Sequence, residues 1–247
     1  MKLALSKRQL AAIKRPVFIV GLPGVGNVGK IAADLLVEQT KAKRLLRFPV
    51  EAKPGLVLVR QNNTVRFPEL TLSHVRRKGR DFLILTGDGQ PGSEGATYDL
   101  AAALVDLLAG LGCTEIITLG GIGLQEPPDK PRVYVTGNDK ALTARFAALG
   151  ANPKIHGVVG PVIGITGVLL CVTEKRIPAV ALLAESLAHP FYLGLRGAEQ
   201  LLALLSKAYG FPRDTAVLQE SIAAIERMHG QAPAGELPKR DETSYIG

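Results

Sequence analysis

Short β-branched runs alternate along this chain with longer Ala- and Leu-rich runs of helical period. An alternating order of this kind is typical of a largely parallel sheet covered by helices on both faces. We therefore predict an α/β fold, a three-layer α/β/α sandwich around a mostly parallel, mixed sheet. The predicted strands are residues 17–22, 44–48, 56–60, 82–86, 115–119, 168–173 and 179–183, and the predicted helices are residues 28–39, 97–109, 140–149, 197–208 and 214–228.

Residues 60–65, RQNNTV, are typical of a turn between two strands, so one antiparallel hairpin should interrupt the parallel pattern. The length of 247 residues allows one large domain or two small ones, and we expect a single α/β domain over residues 1–229. Beyond Met228, Gly, Pro and charged residues without periodicity indicate a flexible tail over residues 230–247. The tail ends in Ser244, Tyr245, Ile246 and Gly247, which either dock on a partner or form a solvated terminus.

Residues 21–30, GLPGVGNVGK, follow the first predicted strand and open the first predicted helix. Gly24, Gly26 and Gly29 satisfy G-x-G-x-x-G, in which glycines let backbone amides approach a pyrophosphate. Glycine is equally needed in a tight turn where the backbone packs closely or adopts positive φ. This second interpretation predicts that Gly24→Val and Gly26→Val impair folding.

Two residues weaken the nucleotide interpretation. Ile31 stands where a P-loop has the Ser or Thr that binds Mg²⁺. The acid that a dinucleotide site needs about twenty residues further on is represented only by Glu51, which lies among basic residues. We therefore expect nucleotide binding to be absent or weaker than millimolar, and both interpretations of the turn stay open.

Two further glycine-rich loops follow predicted strands, at residues 87–95 and 120–123. Loops at the carboxyl ends of parallel strands converge, so these loops and the first turn could line one ligand crevice. The predicted crevice residues are Gly24, Gly26, Asn27, Gly29, Asp88, Gln90, Gly121 and Gly123.

No catalytic residue emerges from the sequence. Ser93 is not in a nucleophile elbow, because Pro91 occupies the first glycine position of G-x-S-x-G. Glu185, Ser186 and His189 are close in sequence, but a triad is defined by geometry and not by sequence proximity. None of the four histidines stands in a ligand pair, so we predict no metal site and no cofactor.

The net charge of +8 is unevenly placed. Residues 1–15 carry +5 and residues 41–80 carry +9, which leaves −6 for all other residues. A basic region attracts nucleic acid, anionic membranes or acidic protein surfaces alike. No nucleic-acid recognition motif accompanies the charge and the chain has no Trp, so we do not expect nucleic acid as a partner.

Residues 155–173 are uncharged over about the length of a membrane helix. Their four glycines and Pro161 favour loops, although Gly160 and Gly164 also fit the GxxxG pattern of membrane helices. Charges interrupt the apolar residues at the N-terminus, so no signal-peptide core is present. We expect a soluble, cytoplasmic protein without a membrane partner, with Cys113 and Cys171 as buried free thiols.

Several separated motifs together resemble the PAC2 family of proteasome assembly chaperones, in its archaeal-type branch. They are VFIVGLPGVGNVG at residues 17–29, GDGQP at 87–91, TLGGIG at 118–123, GITG at 164–167 and Glu185-Ser186 with His189-Pro190. The resemblance covers residues 16–228 and implies an α/β/α fold similar to that of nucleoside phosphorylases, without their activity.

The resemblance also implies a function. It points to a non-enzymatic homo-oligomer that binds proteasome core-particle α-subunits or related assembly factors. Some family members dock through a C-terminal hydrophobic-Tyr-any tripeptide, but here Tyr245 is third from the end and Ser244 replaces the hydrophobic residue. The alternative function is a phosphorylase- or ligase-like enzyme that binds nucleotide or phosphate at the glycine-rich turn.

Overall fold

The computed structural model describes residues 3, 5–50, 56–60, 62–157, 160–173, 176–189, 192–212, 216 and 219. Nearly all of them belong to the unit Met1–Arg213. Apart from positions 216 and 219, the helix predicted over residues 214–228 and the predicted tail lie outside the described residues. The predicted domain limits, 1–229 and 230–247, therefore stay a prediction.

Seven strands form one mixed sheet whose centre is parallel. The described residues form nine strands in all, namely β1 (Val17–Gly21), β2 (Lys43–Pro49), β3 (Leu58–Val59), β4 (Val65–Arg66), β5 (Glu69–Arg77), β6 (Arg80–Gly87), β7 (Glu115–Leu124), β8 (Val133–Gly137) and β9 (Ala179–Leu187). Their order across the sheet is β2-β5-β6-β1-β7-β9-β8, and β3 pairs with β4 in a separate two-stranded ribbon. β6, β1, β7 and β9 are parallel neighbours, whereas β5 and β8 run the opposite way. The predicted mostly parallel, mixed sheet is confirmed.

Helices cover both faces of this sheet. They are α1 (Lys7–Ala12), α2 (Val28–Thr40), α3 (Glu94–Gly110), α4 (Lys140–Ala148), α5 (Ile165–Val172) and α6 (Leu195–Tyr209). Phe18 of β1 belongs to the same apolar cluster as Leu104 of α3 and Leu169 of α5. On the opposite face of β1, a Cβ on Gly21 would lie 2.7 Å from the Cβ of Ala33 in α2, and α2 contacts α6. This arrangement confirms the three-layer α/β/α sandwich.

The central strands are buried on both faces. All five residues of β1 are buried, as are all residues of β9 except its last. Continuous apolar runs are typical of parallel strands that helices cover on both sides. The pattern that predicted the strands therefore reflects their position at the middle of the sheet.

The prediction of a strand over residues 168–173 is wrong, because most of them lie in α5. A short apolar run with β-branched residues does not distinguish a strand from a buried helix by periodicity. The buried residues Ile165, Thr166, Leu169 and Leu170 follow helical spacing. Among the described residues, no helix is long and apolar enough to cross a bilayer.

The sequence patterns also miss β5 and β8. In β5 the buried Leu70 and Leu72 alternate with polar positions, but the charges of its second half obscure this pattern. The predicted strand 56–60 is reduced to β3, whose antiparallel pairing with β4 confirms the predicted hairpin. Of the two free thiols, Cys113 is half-buried, and burial raises its pKa to about 12. Cys171 is exposed, so the prediction that it is buried is wrong.

Candidate functional site

The glycine-rich turn between β1 and α2 packs its backbone against neighbouring strands. Gly26 has φ +57°, and a Cβ placed on it would lie 2.1 Å from Oγ of Ser186. A Cβ on Gly29 would lie 2.2 Å from the carbonyl oxygen of Leu119 in β7. Such approaches require residues without a side chain. The geometry therefore favours the tight-turn interpretation at Gly26 and Gly29.

Gly24 differs from the other glycines of this turn. Its φ of −169° and ψ of −155° are extended, and a Cβ would meet only Nε2 of Gln90, at an ordinary 3.8 Å. The expectation that a side chain at Gly24 crowds the backbone is therefore wrong. Space beside Gly24 exists because it borders an open cleft.

That cleft has a volume of about 700 Å³ and lies at the carboxyl ends of the central strands. Four of the predicted crevice residues line it, namely Gly24, Gly29, Gln90 and Gly121. Its other walls include Tyr98 of α3 and Ile163, which sequence reasoning did not select. The GITG motif at residues 164–167 was the available signal, because the loop before it forms one wall. Open α/β sheets bind ligands at this edge.

Gln90 occupies the middle of this edge with both of its polar groups engaged. Its Nε2 donates to the carbonyl of Pro23 at 2.8 Å, and its Oε1 accepts from the backbone N–H of Ile165 at 3.0 Å. A Cβ on Gly164 would lie 1.9 Å from that Oε1. Gln90 therefore joins the first turn to the start of α5. It also occupies the backbone N–H of Ile165, a donor at the helix N-terminus that an anionic ligand would need.

The other four predicted crevice residues, Gly26, Asn27, Asp88 and Gly123, do not line this cleft. Gly26 receives a hydrogen bond at its carbonyl from Gly194 N–H at 2.7 Å, and Asn27 adopts φ +51° just before α2 begins. A Cβ on Gly123 would lie 2.8 Å from the Cβ of Ala188. These positions shape the backbone at the end of the sheet.

Asp88 belongs to a polar cluster beside the β3–β4 ribbon. Both of its carboxylate oxygens accept from the guanidinium of Arg66, one of them at 2.9 Å from Nη2. The backbone N–H of Glu69 donates to the same carboxylate at 2.9 Å. The hydrogen bond from Arg66 lowers the pKa of Asp88, against the opposing effect of burial. Asp88 therefore fastens the ribbon to the main sheet instead of facing a ligand.

A second, polar cleft of about 490 Å³ surrounds this cluster. Its charged walls are Lys30, Asp34, Arg47, Arg60, Arg66, Glu69 and Asp88. Lys30 pairs with Asp34 at 2.5 Å, and Arg47 lies 3.6 Å from Glu69. Among the described residues Arg60 forms no ion pair within 4.0 Å, so this cleft contains one cation without an anion.

Glu185 and Ser186 lie next to each other on β9 but point to opposite faces of the sheet, as successive strand residues do. Glu185 accepts from Arg132 Nε at 2.8 Å and from Tyr134 Oη at 3.2 Å. Burial alone would raise the pKa of Glu185, but the hydrogen bonds and charge of Arg132 outweigh it and lower the pKa. Ser186 Oγ is buried on the side of Gly26. The two residues cannot share one catalytic triad.

Among the described residues, no group of three or more His, Cys, Asp or Glu side chains could hold a metal ion. The predicted docking residues Ser244, Tyr245, Ile246 and Gly247 lie outside the described residues. Their role stays a prediction.

Comparisons with known proteins agree with the residue motifs. The model of the PAC2 family matches residues 18–231. The chain is 26% identical to the uncharacterized protein MJ1210 of Methanocaldococcus jannaschii, over 97% of this chain and 95% of that protein.

Two solved structures from Pyrococcus furiosus are similar throughout. PbaB, an archaeal proteasome activator, has a TM-score of 0.79 and 28% identity, covering 88% of this chain and 93% of PbaB. PbaA, an archaeal homolog of proteasome-assembly chaperone, has a TM-score of 0.72 and 23% identity, covering 89% of each chain. The PbaA likeness concerns the fold.

Proposed function

The chain belongs to the PAC2 family, and we propose that it is a non-enzymatic proteasome assembly chaperone or proteasome-associated adaptor. In this proposal it works in the cytoplasm as a homo-oligomer and binds proteasome core-particle α-subunits or related assembly factors. The observation that carries the proposal is the similarity in sequence and fold to PbaB, an archaeal proteasome activator, over nearly the whole of both chains. The function needs no cofactor, metal, nucleic acid or membrane.

The polar groups at the carboxyl ends of the central strands favour binding over catalysis. Both polar groups of the Gln90 side-chain amide already form hydrogen bonds to the two loops that it joins. Glu185 is held by Arg132 and Tyr134, and its lowered pKa makes it a poor proton donor or acceptor near neutral pH. The Ser186 hydroxyl is too deeply buried to meet a substrate. These groups serve the fold, and the larger cleft is lined mostly by glycines and apolar side chains, with Ser93, Glu94 and Thr97 among its polar residues.

One observation favours the alternative function, an enzyme that binds nucleotide or phosphate. The larger cleft lies where open α/β sheets bind ligands, and its volume of about 700 Å³ is within the range of small-molecule sites. Against this alternative, Gln90 already occupies the amide at the start of α5. Calorimetric titration with nucleotides separates the two proposals.

The C-terminal tail enters the proposal as a docking element. A tail with the off-register sequence Ser244-Tyr245-Ile246-Gly247 would bind weakly alone. A symmetric oligomer displays several tails at once, and the raised effective concentration compensates for a weak single contact. We therefore expect deletion of the residues after His229 to weaken binding while the oligomer survives.

The test combines two measurements on the full chain and on the deletion variant. Multi-angle light scattering gives the oligomeric state, and biolayer interferometry gives the affinity for purified proteasome α-subunits of the same organism. We expect a closed oligomer in both proteins and a lower affinity in the variant. A full chain without affinity for α-subunits or for the core particle would refute the proposed function. Undiminished affinity in the variant would assign docking to the folded body.

A further inference from the structure

The β3–β4 ribbon has two faces with different environments. Leu58 pairs with Arg66 across the ribbon, and Val59 pairs with Val65. Because paired residues point to the same side of a ribbon, Leu58 and Arg66 share the face that Asp88 holds against the main sheet. Val59 and Val65 point away from that attachment.

The outward face of the ribbon is apolar and exposed. Val59 is 72% exposed, Val65 is 63% exposed and Phe67, two residues further on, is 69% exposed. Val57, two residues before Val59, is 45% exposed. Single exposed apolar side chains are normal, but a contiguous group on a strand pair marks an interaction site. We call Val57, Val59, Val65 and Phe67 the ribbon face.

The polar cleft lies on the other side of the ribbon from the ribbon face, because Arg60 and Arg66 alternate along the strands with Val59 and Val65. The exposed Arg60 stands at the end of the two-stranded ribbon, next to both sides. Arg47 and Arg66 each lie 3.6 Å from the single carboxylate of Glu69, and Asp88 is already held by Arg66. Arg60 adds a positive charge that no anion among the described residues balances within 4.0 Å. A carboxylate from outside would complete the charge balance of this cleft.

We propose that the ribbon face and the polar cleft together form a docking surface for an acidic, apolar segment of a proteasome component. The partner places apolar side chains on the ribbon face and reaches round the end of the ribbon to set a carboxylate beside Arg60. This inference rests on the proposed function and names the chemistry of the partner segment. It assigns binding to the folded body, in addition to any contribution of the C-terminal tail.

The charge distribution favours this occupant over a second copy of the chain. Residues 41–80 carry +9, and the edge strand β2 beside the polar cleft exposes Lys43, Arg44 and Arg47. A two-fold contact through the ribbon face would bring this basic region close to its own copy, and like charges across an interface are unfavourable. An acidic partner gains attraction from the same charges.

The test uses two exposed-site variants of the full chain and two matched controls. V59S/F67S removes apolar surface from the ribbon face, and R60E reverses the unbalanced charge. Leu193→Ser changes an apolar side chain that is 43% exposed just before α6 and lines neither cleft. Lys154→Glu makes the same charge change beyond β8, at the opposite edge of the sheet from β2. Thermal melting should be unchanged in all four because the side chains are exposed.

Affinity for purified α-subunits is measured by biolayer interferometry at about 50 mM and 200 mM salt, since salt screens charge pairs. We expect V59S/F67S to lose tenfold or more at both salt concentrations. R60E should lose about tenfold at low salt and less at high salt, and each control should stay within about twofold of wild type. The predicted salt dependence distinguishes the two halves of the surface.

Each other outcome has a defined meaning. Wild-type protein that binds no proteasome component refutes the proposed function itself. Wild-type binding that the ribbon-face and Arg60 variants leave unchanged overturns the docking surface alone. Equal losses in the controls also overturn it. A change of oligomeric state in V59S/F67S by light scattering identifies a second copy as the occupant and overturns the assigned partner.

Discussion

Adding one methyl group at Gly26 should destabilise the protein, whereas the same change at Gly24 should not. Gly26 combines φ +57° with a Cβ position 2.1 Å from Oγ and 3.1 Å from Cβ of Ser186. A left-handed conformation costs a non-glycine residue about 1–2 kcal/mol. Overpacking a buried site costs about 1–3 kcal/mol more. Replacing glycine by alanine also reduces the conformational freedom of the unfolded chain, which offsets roughly 0.4–1 kcal/mol of this destabilisation.

The net destabilisation expected for Gly26→Ala is therefore about 1–5 kcal/mol. For a chain of this size each kcal/mol lowers Tm by about 2–4 °C, so Tm should fall by roughly 2–18 °C. Gly24→Ala meets only a flexible amide at 3.8 Å, and its stability should stay within about 0.5 kcal/mol of wild type. The two glycines lie in one turn, which makes Gly24→Ala a matched control.

Ser186 provides the second control. Its buried Oγ has no hydrogen-bond partner among the described residues, so Ser186→Ala should be neutral or stabilising. Removing Oγ also removes the closest contact of the new methyl group. In a double-mutant cycle measured by urea unfolding, Ser186→Ala should recover about 1–2 kcal/mol of the Gly26→Ala loss. Equal stability of Gly26→Ala and Gly24→Ala, or strict additivity in the cycle, would refute this account of the turn.

Three further measurements test other parts of the description. Asp88→Asn should lower Tm by about 2–4 °C at pH 7. Because Arg66 lowers the pKa of folded Asp88 below its ordinary 3.8, the Tm difference between wild type and variant should shrink as pH falls below about 4. An equal Tm difference at pH 7 and pH 3 would contradict the ion pair. Calorimetry with ATP, GTP and NAD should show no binding tighter than millimolar, and micromolar affinity would favour the enzyme alternative. A thiol reagent at pH 7.5 should label exposed Cys171 in the native protein and Cys113, with a pKa of about 12, only after unfolding, as mass spectrometry of labelled peptides would report.

The centre of the sheet could be predicted because burial on both faces leaves a continuous apolar run, as in β1. The antiparallel strand β5 was missed because it is polar at alternate positions and charged at its end. Residues 168–173 were misassigned because local periodicity does not separate a buried helix from a buried strand over so short a run. What decides in favour of helix α5 is its packing on α3, which is a tertiary contact.

For the candidate site, too, the sequence predicts some positions and misses others. Glycine loops after parallel strands must meet at one edge of the sheet, and Gly24, Gly29, Gln90 and Gly121 line the larger cleft there. That they bind a ligand stays a prediction. The same rule predicts Asp88 at the larger cleft, but the carboxylate of Asp88 pairs instead with Arg66, which lies 22 residues earlier on the ribbon. Long-range pairing of a charged side chain leaves no local pattern in the sequence. The function of Asp88 could be recognised only from the fold.

The fold shows where the excess positive charge of residues 41–80 lies on the molecule. Strand β2 lies at one edge of the sheet, and its exposed Lys43, Arg44 and Arg47 disfavour pairing with another strand there. The same cations lie beside an apolar ribbon that carries no such protection on its outward face. In the proposed docking, charge guides an acidic partner to this edge, and side-chain contacts with the ribbon hold it there without strand addition. Association rates should depend on salt more strongly than dissociation rates, because the charges act at a distance and the apolar contacts act only after docking.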